Sequence, residues 1–302
     1  MRVAIIGATG FIGRELANYL KSNGDSVTVL TRHLGHARNI LGKDYQYALW
    51  DGQSVTALNL LVASHDAIIN LAGENISNGR WSNKRKLLLY NSRITPAKAL
   101  MEAIQNSHKK PSVVMQISAS GIYGNDYDGT PGSEKSEGFL SVLCNDWEEA
   151  VKPLDDSPTR LVIMRMAVVL GKNEGMLSKL TPAFKAFLGG HTGSGKQWLP
   201  WIHKYDVASA IYHLLHNEKA RGTFDFAAPE SVTQKTFCHS LGMVLDRPSW
   251  FHIPPFMIRI LFGEMGKETL LSSQKIYPQK LLDTGYSFHY PKLEDALKEI
   301  YK

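Results

Sequence analysis

The chain has 302 residues, 43% hydrophobic and 21% charged, a composition that can bury a sizeable core in one large α/β unit. The net charge is +6, but the basic residues are scattered, with only Lys84-Arg85-Lys86 and Lys109-Lys110 as short clusters; this argues against a nucleic-acid partner and for a mildly basic protein suited to an anionic ligand. Cys144 and Cys238 stand far apart in no metal-like spacing, which excludes a disulfide framework and a thiol metal site.

Residues 3–6 form an apolar run that reads as a short buried strand. Gly7-Ala8-Thr9-Gly10-Phe11-Ile12-Gly13 follows, and residues 14–20 have helical periodicity. Strand, glycine loop and helix together predict a dinucleotide cradle. Glycines let a pyrophosphate approach the backbone, and the helix N-terminus offers free N–H groups to it. The alternative is a glycine-rich turn at an ordinary strand–helix junction. With no leader expected ahead of this first strand, the chain reads as cytoplasmic.

Further strands are expected at residues 27–30, 45–49, 67–71, 113–117 and 161–164, alternating with helices, the longest over about 84–105. Near-continuously apolar strands alternating with helices predict an α/β fold, a Rossmann-type doubly wound parallel sheet. Ligands then bind at the strands' carboxyl ends. After the second strand comes Thr31-Arg32-His33, where a NAD site would hold an acid. A guanidinium suits a 2′-phosphate, so Arg32 predicts NADP(H) over NAD unless it is a solvated surface charge. Asp51 after the third strand suits either the adenine amino group or a helix cap. Leu71-Ala72-Gly73 after the fourth leaves room for ribose and nicotinamide, or is a plain helix entry.

The loop after the fifth strand carries Ser118, Ser120 and Tyr123, candidate catalytic hydroxyls at the edge where hydride chemistry would occur. Tyr123 could equally be a packed aromatic with an exposed hydroxyl. Residues 1–170 are assigned to the cofactor domain, completed by about 201–228. Residues 171–200 and 229–302 are assigned to a smaller C-terminal α/β lobe, the last part rich in proline and broken into short pieces. A helix is expected over about 205–216, with Asp206 as a cap and His203 as a structural hydrogen-bonder. Trp81, Trp198 and Trp201 would suit a planar or apolar substrate, or are core tryptophans. Residues 256–262 are apolar but short and interrupted by Arg259, so they cannot span a bilayer, and no membrane partner is expected. The expected ligand is a small-molecule substrate, the expected assembly a monomer or homodimer, and no metal site is read.

Gly7-x-x-Gly10-x-x-Gly13, residues 70–73, residues 118–124 and Trp201-Ile202-His203-x-x-Asp206 together resemble the extended short-chain dehydrogenase/reductase superfamily. Gly79-Arg80-Trp81-Ser82, Asn91-Ser92-Arg93, residues 193–198, Gln274 and Pro278 are similar to its epimerase-like family of uncharacterised oxidoreductases, which has a C-terminal domain of unknown function. The resemblance implies NADP(H) binding, an oxidoreductase or epimerase-like activity and a substrate lobe. It also implies a Tyr-x-x-x-Lys pair on the helix after the fifth strand, which residues 138–149 lack, and Ala119 falls in the usual serine slot. Arg93 lies near where the extended enzymes keep an asparagine; it and Trp201 are candidate substrate contacts. Without the acid–base pair, a non-catalytic NADPH-sensing protein is the alternative.

Overall fold

The structure, a computed structural model, describes residues 1–135, 137–155 and 157–302. In chain order the first half runs β1 (Arg2–Ile6), α1 (Phe11–Ser22), β2 (Ser26–Thr31), α2 (Leu34–Leu41), β3 (Gln46–Leu49), α3 (Val55–Ser64), β4 (Ala67–Asn70), α4 (Asn83–Asn106) and β5 (Val113–Ala119). A 3-10 turn, Ser120–Tyr123, leads on to α5 (Phe139–Glu149), β6 (Arg160–Met166) and β7 (Val168–Leu170). Then come α6 (Leu177–Lys185), β8 (Gly190–Thr192), β9 (Trp198–Leu199), β10 (Trp201–His203), α7 (Lys204–His216) and β11 (Gly222–Phe226). The remainder is β12 (Val232–Thr233), α8 (Gln234–Leu245), β13 (Phe251–Ile253), α9 (Pro255–Met265), a π-helical turn Gly266–Leu270, α10 (Gln279–Asp283) and α11 (Leu293–Tyr301).

Seven strands form one sheet in the order β11-β6-β5-β4-β1-β2-β3, every pair parallel. The strand order reverses between β1 and β4, so the loops leaving these two strands stand side by side at the switch point. Strands β4 and β6 are almost wholly buried, as expected for a parallel sheet covered on both faces. One apolar layer packs under α1 and α7; a second packs under α3, α4 and α5. A third cluster joins α6, α8 and α11 around Phe184, Trp201 and Phe237.

The tail is more regular than its prolines suggested. Pro254 and Pro255 stand at the N-terminus of α9, and Pro278 precedes α10, so they start helices rather than break them. Pro182 is inside α6 and Pro96 inside α4. No helix is long and apolar enough to cross a membrane among the described residues.

Candidate functional site

The glycine loop leaves β1 and turns at Gly7, whose φ of +83° favours glycine. A Cβ at Gly7 would stand 2.9 Å from the carbonyl of Leu71, so the loops after β1 and β4 pack backbone to backbone. A Cβ at Gly13 would lie 2.3 Å from the Gly7 carbonyl oxygen and 2.6 Å from Ala8 Cα. Only glycine there lets α1 enter so close beneath the loop. Helix α1 has Gly10 as its N-cap and no side-chain cap, whereas Ser54, Ser82, His203 and Thr233 cap α3, α4, α7 and α8. The first-turn N–H groups of α1 therefore remain free for an anion.

Residues 171–174 reach this cradle. The Phe11 ring packs on Gly171, where a Cβ would meet it at 2.6 Å, and Arg14 pairs with Glu174. Arg32 has no ion pair among the described residues and stands exposed after β2. Asp51 Oδ1 accepts from the N–H groups of Gln53 and Ser54 (2.9 and 2.8 Å), which holds its carboxyl below the usual range. Ser54, not Asp51, caps α3. At the end of β4, buried Asn70 accepts from Ala72 N–H (3.1 Å) and donates to Gln116 on β5 (2.9 Å), which fixes the Leu71–Gly73 turn.

The hydroxyls after β5 fall into different roles from those expected. Tyr123 is buried, donates to Asp225 (2.7 Å) and accepts from Arg165 (3.0 Å). Its ring stacks on Tyr127 at 4.4 Å. Burial, then the Asp225 charge, push its hydroxyl well above the ordinary tyrosine range. The Tyr123 hydroxyl, expected as a candidate acid or base, thus has both Asp225 and Arg165 as hydrogen-bond partners. Ser118 is equally occupied, donating to Glu148 (2.7 Å), which Arg165 grips with two nitrogens at 2.9 Å each. Ser120 is half-buried and makes no side-chain hydrogen bond among the described residues, so of the three hydroxyls it alone is available to a ligand.

Helix α5 carries Leu140 and Cys144 where it faces Gly121; a Cβ on Gly121 would touch them at 3.1 and 3.6 Å. Burial pushes the Cys144 thiol up to about 12, so it stays protonated. Its N-terminus is capped from the C-terminal region: Glu268, on the π-helical turn, accepts from the N–H groups of Phe139 (2.9 Å) and Leu140 (2.8 Å). Sequence reading missed Glu268, because its partner lies about 130 residues away and no local signal marks it.

Arg93 on α4 is half-buried over the Trp147 ring (5.1 Å) and against Gly73. Its two terminal nitrogens donate to the Leu89 and Glu74 carbonyls (3.0 and 2.9 Å), and Nε has no partner among the described residues. Burial lowers its pKa, and Glu74, whose charge acts on it, is paired with Arg85. Trp201 is a correction. It is 1% exposed, its indole N–H donates to Glu230 O (3.1 Å), and it fills the third core cluster, so it cannot touch a substrate. Trp81 is likewise core, while Trp198 is half-buried under Lys275.

The Trp-Ile-His-x-x-Asp motif is structural. His203 accepts from Tyr205 N–H as the cap of α7. Asp206, expected as a cap, is fully buried and accepts from Tyr286 Oη (2.9 Å) and the N–H groups of His289 (2.7 Å) and Tyr290 (2.9 Å). Gln274 similarly ties the tail to the β5 loop by donating to Gly124 O (2.8 Å). No cluster of metal-ligating side chains forms among the described residues.

Comparison with known proteins adds to this geometry. Residues 3–226 match the NAD dependent epimerase/dehydratase family, and residues 253–300 match a domain of unknown function (DUF1731). The chain is 36% identical to an Arabidopsis thaliana chloroplastic homologue of epimerase family protein SDR39U1, over 99% of this chain and 86% of that one. It is 35% identical to the Homo sapiens epimerase family protein SDR39U1, over 99% of each. The crystal structure of that human protein (isoform 2) with NADPH superposes with a TM-score of 0.89 at 32% identity, covering 100% of this chain and 99% of that one.

Proposed function

The chain belongs to the NAD dependent epimerase/dehydratase family, and from that premise we propose that it is an NADP(H)-binding, epimerase-like oxidoreductase acting on a small anionic substrate. The observation that carries this reading is the cradle, where Gly7 and Gly13 admit no Cβ and α1 opens with uncapped N–H groups. The similarity to a human protein crystallised with NADPH supports it. Gly10, Phe11 and Ile12 would hold the pyrophosphate, with Thr9 beside them; Arg32 would take the 2′-phosphate; Asp51, through its free Oδ2, would meet the adenine. Leu71, Ala72 and Gly73 would flank the nicotinamide ribose.

When bound, such a cofactor supplies or accepts hydride. The chain's own part is to orient the substrate and manage its proton. Ser120 would donate a hydrogen bond to the substrate oxygen, and Arg93 Nε would favour negative charge beside it. The Arg165–Glu148–Ser118–Tyr123–Asp225 network holds the floor of the site rigid. The test is replacement of Arg32 by Glu. NADPH affinity should fall by roughly a hundredfold, the cost of exchanging a charge-assisted pair for repulsion, while NADH binding is kept. Unchanged NADPH affinity overturns the assignment.

A second reading is favoured by the absence of tyrosine and lysine on α5. In it the protein binds NADPH without turnover and signals cofactor level to a partner. Substrate-dependent NADPH oxidation excludes it; a partner captured only with NADPH present supports it.

A further inference from the structure

The apolar stretch around residues 256–262, too short to span a bilayer, lies open on the surface. Helix α9 is kinked at Gly263 (φ +60°), so its regular part, residues 255–262, is about 12 Å long. Ile258 and Met265 form its buried side; Phe256, Met257, Ile260 and Leu261, at spacings i, i+1, i+4 and i+5, form a face turned to solvent. Phe256 is 62% and Ile260 67% exposed. Further exposed aromatics precede it in the chain. Trp250 is 70% exposed, and its indole N–H donates to Phe187 O (3.1 Å), which brings the exposed Phe187 alongside. An apolar surface this concentrated, built from two chain segments, marks contact with something other than water.

The charges around it say what that is. Residues 247–263 contain Arg247 and Arg259 and no aspartate or glutamate. The Arg247 guanidinium lies 4.9 Å from the Phe187 ring centre, and Lys185 is exposed two residues before Phe187. Exposed Lys84, at the start of α4, joins the same rim, because its neighbour Lys86 pairs with Glu264 at the end of α9. That pairing occupies the one carboxylate of α9, and Asp246 stands at the margin. Exposed Trp250, Phe187 and Phe256 with Arg247, Arg259 and Lys185 around them have the chemistry of a bilayer interface. A second copy of the chain would set this basic rim against itself.

We propose that this face seats the protein on an anionic bilayer surface, with α9 lying in the membrane plane. The proposal is independent of the cofactor reading. The test is co-sedimentation of the full chain with phosphatidylglycerol–phosphatidylcholine vesicles, with phosphatidylcholine vesicles alone as control. Binding should occur only with the anionic vesicles and weaken as salt rises. Arg259→Gln should weaken it by roughly fivefold, one charge's share near such a surface, and Ile260→Glu should abolish it. Trp250 is the only strongly exposed tryptophan among the described residues, so its emission should shift to the blue on anionic vesicles. Ile260 is on the surface and the variant is expected to fold, with unchanged thermal unfolding as the check. Absence of vesicle binding and of the blue shift overturns the proposal. So does binding that Ile260→Glu leaves intact, or a vesicle-free dimer that Ile260→Glu dissociates, which would assign the face to a second copy.

Discussion

Tyr123 shows how far a side chain's role depends on what surrounds it. Its position in the β5 loop suits catalysis, but its hydroxyl is spent between Asp225 and Arg165. Tyr123→Phe should therefore leave NADPH affinity unchanged and destabilise the fold by about 1–3 kcal/mol, since a buried carboxylate loses its donor; thermal unfolding and a cofactor titration check both halves. His203 gives a pH prediction. Burial, with smaller effects from neighbouring charges, lowers its pKa from 6.5 to about 4. Between these values the unfolded chain binds a proton that the folded chain refuses, so stability falls as pH drops from 6.5 toward 4. His203→Asn keeps an acceptor for the α7 cap, and its unfolding midpoint should vary less over that window. An undiminished pH slope would remove His203 as the cause.

The elements that build the site were mostly legible, because each depends on local pattern. The apolar run of β1, the glycines after it and the periodicity of α1 lie within residues 2–22 and specify one another. The helix before residue 14 was missed, since α1 begins at Phe11 inside the glycine motif. What could not be read were the partners that topology supplies. Asp206 looks like a cap from its place at a helix start; only the return of residues 286–290 reveals it as a buried acceptor. Trp201 looks like a substrate contact until α6, α8 and α11 close over it. Glu268 is the clearest case. It caps α5 from a π-helical turn that follows Gly263, a glycine at φ +60° within α9. Glu268→Ala should cost about 1 kcal/mol, the usual value of an N-cap, and should raise hydrogen exchange in the first turn of α5 before it affects β1. Uniform exchange across both elements would argue against a local cap.

Across the whole molecule, the matched C-terminal region is stitched to the sheet by polar contacts: Asp206 to the 286–290 turn, Gln274 to Gly124, Glu268 to α5, and Glu230 to Leu293 N–H (2.6 Å). Asp206→Ala strands the His289 and Tyr290 N–H groups and should lower stability by several kcal/mol, loosening the tail together with α7; proteolysis confined to the tail, with α7 intact, would show the two to be uncoupled. Glu174 likewise pairs with Arg14, and Gly171 packs against Phe11, at the start of α1. NADP(H) binding at the cradle is the property on which the proposed function stands. Titration calorimetry with NADPH and with NADH, on the native chain and on Gly13→Ala, tests it most directly. One equivalent of NADPH should bind at least about tenfold more tightly than NADH, as expected where a guanidinium replaces the ribose-binding acid. Gly13→Ala should lose that binding, since its Cβ would stand 2.3 Å from the Gly7 carbonyl oxygen. No heat with either nucleotide, or equal affinity for both and for the variant, would contradict it.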